Sequence, residues 1–143
     1  MGNLFNKNNY LFNKNGYLEY SNVDKLKSIL LITNNYEMQT ILDRFLKTNN
    51  YSFNIVNNAF MGIEFYKNHS NDVSIILNNF ELPDMTGIDL YCILKLINPD
   101  LNILMLSSFE SIIDHFKDLD LKGIYSNPID LAELTEVLDH LDA

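Results

Sequence analysis

The chain has 143 residues, 47% of them hydrophobic and 20% charged, with 19 acidic against 10 basic residues for a net charge of -9. This length suits one domain with a short extension and buries a core without disulfides or metal. The single cysteine, Cys92, excludes an internal disulfide and points to a reducing cytoplasm. An acidic balance without a basic stripe argues against nucleic acid as a partner, and the absence of an apolar run of membrane-spanning length argues against a membrane.

Residues 1–26 form an extension in which Leu4-Phe5-Asn6-Lys7-Asn8-Asn9-Tyr10 is nearly repeated as Leu11-Phe12-Asn13-Lys14-Asn15-Gly16-Tyr17. Asn and Gly at this density oppose a helix. Two readings stand open. One is a β-hairpin pairing Tyr10 to Phe12 with Tyr17 to Tyr20, Gly16 taking the φ > 0 turn position. The other is a disordered tail, because two strands alone are marginal.

Residues 27–143 alternate regularly. Ser28 to Ile32 reads as a strand, and Glu37 to Thr48 as a helix with Met38, Ile41, Leu42, Phe45 and Leu46 on one face. Ser52 to Val56 is the next strand, and Ala59 to Lys67 a helix expected to turn Phe60, Ile63 and Tyr66 inward. Val73 to Leu77 is the most apolar strand. A loop carrying Pro83 and Gly87 leads from it to a helix at about Ile88 to Ile97, stopped by Pro99. Asn102 to Leu106 is a strand, Ser111 to about Asp118 a helix, and Gly123 to Tyr125 a short strand. A last helix, capped by Asp130, carries Leu131, Leu134, Val137, Leu138 and Leu141 on one stripe.

Five apolar strands alternating with five helices predict an α/β fold with a parallel sheet covered on both faces. At this size the commonest arrangement is the flavodoxin-like, doubly wound sheet of order 2-1-3-4-5. Chemistry in such folds sits at the carboxyl ends of strands, where Asn78 and Asn79 stand. Both are amides.

The helix at Ile88 to Ile97 is apolar nearly all round, which a surface helix should not be. Leu90, Tyr91, Leu94 and Ile97 suffice for the core. Cys92, Ile93 and Leu96 then form an outward row beside Asp89, predicting contact with another chain, with a second copy, or with the N-terminal extension.

Three motifs, in this order and spacing, resemble the receiver domain of bacterial response regulators, the CheY-like family. Leu82-Pro83-Asp84-Met85-Thr86-Gly87-Ile88-Asp89-Leu90 is similar to the loop after the family's third strand. Ile103-Leu104-Met105-Leu106-Ser107-Ser108 is similar to its fourth strand and switch hydroxyl, and Tyr125-Ser126-Asn127-Pro128 to its Lys-Pro segment. The resemblance runs from about Lys27 to Leu141 and implies a cytoplasmic module of two-component signalling that accepts a phosphoryl group on an aspartate with Mg²⁺ bound. It places Asn79 at the acceptor, Thr33 and Asn34 at the two metal-binding acids, Ser107 at the switch hydroxyl and Asn127 at the lysine. In the family the residue two after the acceptor contributes its backbone carbonyl, so the Glu81 side chain need not point inward.

A carboxamide is no oxygen nucleophile at neutral pH, and Mg²⁺ asks for one or two carboxylates. The resemblance therefore implies a pseudo-receiver without catalytic residues, cofactor or Mg²⁺. Its pocket of Thr33, Asn34, Asn79, Ser107 and Asn127 would be locked by internal hydrogen bonds, and it would act by binding a protein partner. The sequence ends at Ala143, soon after the last stripe, so output is expected from that partner. Alternatives are a receiver phosphorylated on a non-standard acceptor, with Glu81, Asp84 or Glu110 as replacement carboxylates, and a flavodoxin-like small-molecule binder, for which no Gly-rich phosphate loop is present.

Overall fold

The apolar runs become the middle of one sheet. The computed structural model describes residues 10–12, 18–20, 28–107, 122–125 and 130–142. Its strands are β1 (Tyr10–Phe12), β2 (Leu18–Tyr20), β3 (Ser28–Ile32), β4 (Ser52–Val56), β5 (Val73–Asn79), β6 (Asn102–Ser107) and β7 (Lys122–Tyr125). Its helices are α1 (Tyr36–Thr48), α2 (Ala59–His69), α3 (Gly87–Ile97) and α4 (Leu131–Asp142). The sheet order is β1-β2-β4-β3-β5-β6-β7. The five strands from β4 to β7 in that order are parallel to one another. The expected helix at Ser111 to Asp118, the turn at Gly16 and Asn127 lie outside the described residues.

Alternation along the strands divides the core into two layers. Ile29 and Leu31 of β3, with Ile75 and Leu77 of β5, pack on Met38, Leu42, Phe45 and Leu46 of α1 and on Leu134 and Leu138 of α4. Leu30 and Ile32, with Ile76, pack on the other side against Phe65 and Tyr66 of α2 and Leu90 and Leu94 of α3. A strand buried on both faces needs apolar residues at successive positions, which is why β3 reads as unbroken Ile and Leu. Each such side chain contributes about 1.5–3 kcal/mol.

Short polar side chains start the helices. Asn35 Oδ1 accepts the Met38 N–H at 2.9 Å, Asn58 Oδ1 that of Met61 at 2.8 Å, and Asp130 Oδ1 that of Glu133 at 3.0 Å. Each satisfies a donor the helix cannot, worth about 1 kcal/mol. The end of α1 is turned by Asn50, whose φ of 63° lies in the left-handed region that Asn tolerates better than most residues.

Three side-chain or segment expectations are corrected. The N-terminal extension does form a hairpin, pairing Tyr10 with Tyr20, Leu11 with Glu19 and Phe12 with Leu18. It does not use its backbone on α3, however. β2 adds to β4 antiparallel, Leu18 opposite Ile55 and Tyr20 opposite Phe53, because β4 otherwise offers an edge of unpaired N–H and C=O groups. Phe60 is 66% exposed rather than inward, since Ala59, Gly62, Phe65 and Tyr66 set the buried face of α2 and Phe60 stands one residue round from it. Ile97 is 39% exposed: Leu90 and Leu94 make the buried contact, and Ile97 is the last residue of α3.

Candidate functional site

The strand order reverses around β3, since β4 lies to one side of it and β5 to the other. The crevice outside the carboxyl ends of β3 and β5 is therefore the place where this architecture forms sites. Thr33 directly follows β3 and Asn79 ends β5.

Thr33 is fully buried, and its hydroxyl accepts the Asn35 N–H at 3.1 Å. Its carbonyl accepts Gln39 Nε2 at 2.6 Å, and the same Gln39 nitrogen reaches Asn57 Oδ1 at 2.9 Å, which ties the loop after β3 to the loop after β4. Asn34 is exposed. Asn79 is buried, and its Nδ2 donates to the Glu81 carbonyl at 2.9 Å. Its neighbour Asn78, fully buried, donates from Nδ2 to the Gly87 carbonyl at 2.9 Å, which fastens the start of α3 to β5 and leaves Asn78 Oδ1 without a partner.

The side chain of Glu81, which by the family's pattern need not point inward, faces the pocket. Ser107, fully buried at the end of β6, donates its hydroxyl to Glu81 Oε1 at 3.3 Å, and Glu81 Oε2 is buried without a hydrogen-bond partner. The cause is the shape of the loop. Phe80 N–H donates to Leu106 O at 2.8 Å and Gly87 N–H to Phe80 O at 2.7 Å, while Glu81 and Thr86 form an isolated antiparallel bridge. Residues 80–87 are thereby pinched over the end of β6, and alternation sends the carboxylate toward Ser107. Only Gly fits at position 87, where a Cβ would lie 2.6 Å from Asn79 O and 2.7 Å from Phe80 Cα.

Asp84 lies in the same loop, and its carboxylate accepts the backbone N–H groups of Ala59 at 2.9 Å and Phe60 at 2.8 Å. Partial burial pushes its carboxyl up. The hydrogen bonds from Ala59, Phe60, Asp84 and Met85 outweigh that and hold it below the ordinary value of 3.8. No local signal marked this pairing, because Asp84 and Ala59 are 25 residues apart.

Asn79 thus holds the backbone carbonyl of Glu81, and Ser107 reaches its carboxylate. A hydroxyl, amides and one acid can exchange hydrogen bonds there. Among the described residues no group of three or more His, Cys, Asp or Glu could hold a metal ion. On α3, Cys92 is exposed, Ile93 half-buried and Leu96 85% exposed, beside an exposed Asp89. Away from the strand ends, a groove of about 480 Å³ opens between Ile41, Arg44 and Phe45 of α1 and Leu131 of α4.

A doubly wound sheet with a loop of this form beside a buried serine hydroxyl is the architecture of receiver domains, and the sequence comparison agrees. Residues 29–139 match the response regulator receiver domain, and the chain belongs to that family. Among solved structures, a CheY-like receiver domain from Methanospirillum hungatei is 21% identical with a TM-score of 0.69, covering 82% of this chain and 95% of its own. A sensor protein from Polaromonas is 19% identical at a TM-score of 0.72, covering 82% of this chain and 98% of its own. CheY of Borrelia burgdorferi, solved with CheX, BeF₃ and Mg²⁺, is 17% identical at 0.67, covering 80% and 88%. No curated protein sequence matches the chain. Among the described residues no helix is long and apolar enough to cross a membrane.

Proposed function

We infer that this chain is a pseudo-receiver, a phosphorylation-independent protein-interaction module of two-component signalling. The observation that carries the reading is the Asn79 carboxamide, buried at the end of β5 with its nitrogen on the Glu81 carbonyl. The resemblance of the loop at Pro83 to the receiver motif implies the acceptor position for Asn79, and an amide there neither attacks phosphorus nor gains from a nearby metal. Thr33, Asn34 and Asn79 are neutral donors, and Thr33 is already bonded to Asn35. They do not fit Mg²⁺, which dehydrates reluctantly and is held in proteins by one or two carboxylates. The module neither catalyses phosphoryl transfer nor carries a cofactor, and its output runs through a protein bound to its surface in the cytoplasm.

One observation favours a second reading. Glu81 brings a carboxylate to Ser107, and a carboxylate is competent to form an acyl phosphate. Incubation with acetyl phosphate and Mg²⁺, followed by intact-mass measurement, separates the two. The pseudo-receiver gains no phosphoryl mass, whereas Asn79→Asp does. A phosphoryl adduct on the natural sequence that disappears in Glu81→Gln establishes the second reading instead.

A further inference from the structure

Glu81 Oε2 is a buried carboxylate oxygen with no hydrogen-bond partner. Leaving such an atom desolvated and unpaired is costly, and the described residues around it offer no cation. In the loops after β3, β4 and β5 and the first turns of α1, α2, α3 and α4 stand Glu37, Glu81, Asp84, Asp89 and Glu133, without a single Lys or Arg. The described cations of the helices, Arg44, Lys47, Lys67 and Lys95, all lie in the second halves of α1, α2 and α3, at the opposite end of the sheet. Among the described residues the carboxyl edge thus carries acids and no Lys or Arg, and the Glu81 carboxylate at the buried pocket has no counter-charge among them.

The same edge exposes two large aromatic side chains. Tyr36, first residue of α1, is 81% exposed, and Phe60, in the first turn of α2, is 66% exposed. The two helices cover opposite faces of the sheet but start beside one another, because β3 and β4 are paired neighbours and Gln39 joins their loops. Phe60 is held by its backbone N–H to Asp84, in the loop that carries Glu81. Tyr and Phe give large contact areas at low entropic cost, and the exposed Asn34, two residues before Tyr36, supplies a polar rim.

We propose that the carboxyl edge of the sheet is a docking surface for a basic protein segment, whose Lys or Arg side chain enters the pocket and pairs with Glu81 while apolar residues beside it pack on Tyr36 and Phe60. The inference rests on the pseudo-receiver reading in one respect: the pocket must be free of a phosphoryl group. The charge of the edge selects the occupant. A second copy of this acidic chain would be repelled, and a cation on a flexible stem is the group that reaches a half-buried carboxylate without stranding another charge.

The test is selection of displayed random peptides on the intact protein, followed by affinity measurement with the enriched peptides. They should carry Lys or Arg beside apolar residues and bind more weakly as salt rises. Glu81→Gln should lower affinity about thirtyfold, the effect of removing one partner of a desolvated ion pair, and Tyr36→Ser or Phe60→Ser should weaken binding as well. Thermal melting verifies that each variant is folded, and acetylation of the peptide lysine removes the same charge without touching the protein. Enriched peptides without cations, peptides that bind Glu81→Gln unchanged or survive lysine acetylation, peptides lost only in Leu96→Glu, or a selection that yields no binder each overturn the proposal. Failure of the pseudo-receiver reading is read separately, as a phosphoryl adduct in the acetyl phosphate experiment.

Discussion

The Asp84 carboxylate accepts the backbone N–H of Phe60 at 2.8 Å, so an acid in the loop after β5 caps a helix that begins after β4. This bond joins two connections of the sheet edge and complements the positive end of α2, which has no acid of its own in its first turn.

Asp84→Ala should therefore destabilise the chain by roughly 0.5–1 kcal/mol at neutral pH, the low range for an exposed cap. The carboxyl is held below 3.8 in the folded state, so its contribution is complete above that value and vanishes as pH falls through the lower folded value. Urea denaturation of both proteins across the acid range should show the difference at neutral pH and convergence below the folded value.

Gly87→Ala should cost about 1–3 kcal/mol in the same assay. The added Cβ meets Asn79 O and Phe80 Cα, and two backbone segments must part to admit it. A helix gain of at most about 1 kcal/mol does not offset that. Gly62→Ala should cost less, since the atom met first is Ile32 Cδ1, the end of a side chain.

Removal of residues 1–24 should leave the parallel sheet folded but bare along β4, whose partners Leu18, Glu19 and Tyr20 are then gone. An open edge recruits another chain. Light scattering should report concentration-dependent association of the truncated protein and none of the intact one at equal concentration.

The outward row of α3 should divide in stability. Leu96→Glu, at a side chain 85% exposed, should stay within about 0.5 kcal/mol of the natural protein, whereas Ile93→Glu, half-buried, should cost more. Equal losses in thermal melting would mean that Leu96 is covered.

Much of the architecture was legible from local pattern. Unbroken Ile and Leu runs marked β3 and β5, the 3.6-residue spacing of Met38, Leu42, Phe45 and Leu46 marked α1, and Pro83 with Gly87 marked the loop over the site. The hairpin was one of two readings the sequence left open, and the pairing of Tyr10–Phe12 with Leu18–Tyr20 chose between them. Asn79 could be placed at a strand end from local pattern alone, whereas Thr33 and Ser107 were singled out by the resemblance to the receiver family.

Where Glu81 points, what Asp84 caps and which edge the hairpin joins were decided only by the tertiary structure. Glu81 finds Ser107 across 26 residues and Asp84 finds Phe60 across 24, contacts that no local period encodes. The hairpin goes to β4 because that edge has unpaired backbone groups, a property of the assembled sheet. By itself the sequence determined the elements and set amides at the carboxyl end of β5. The assembled fold turned one acid inward among those amides, because the pinched loop left its side chain no other direction.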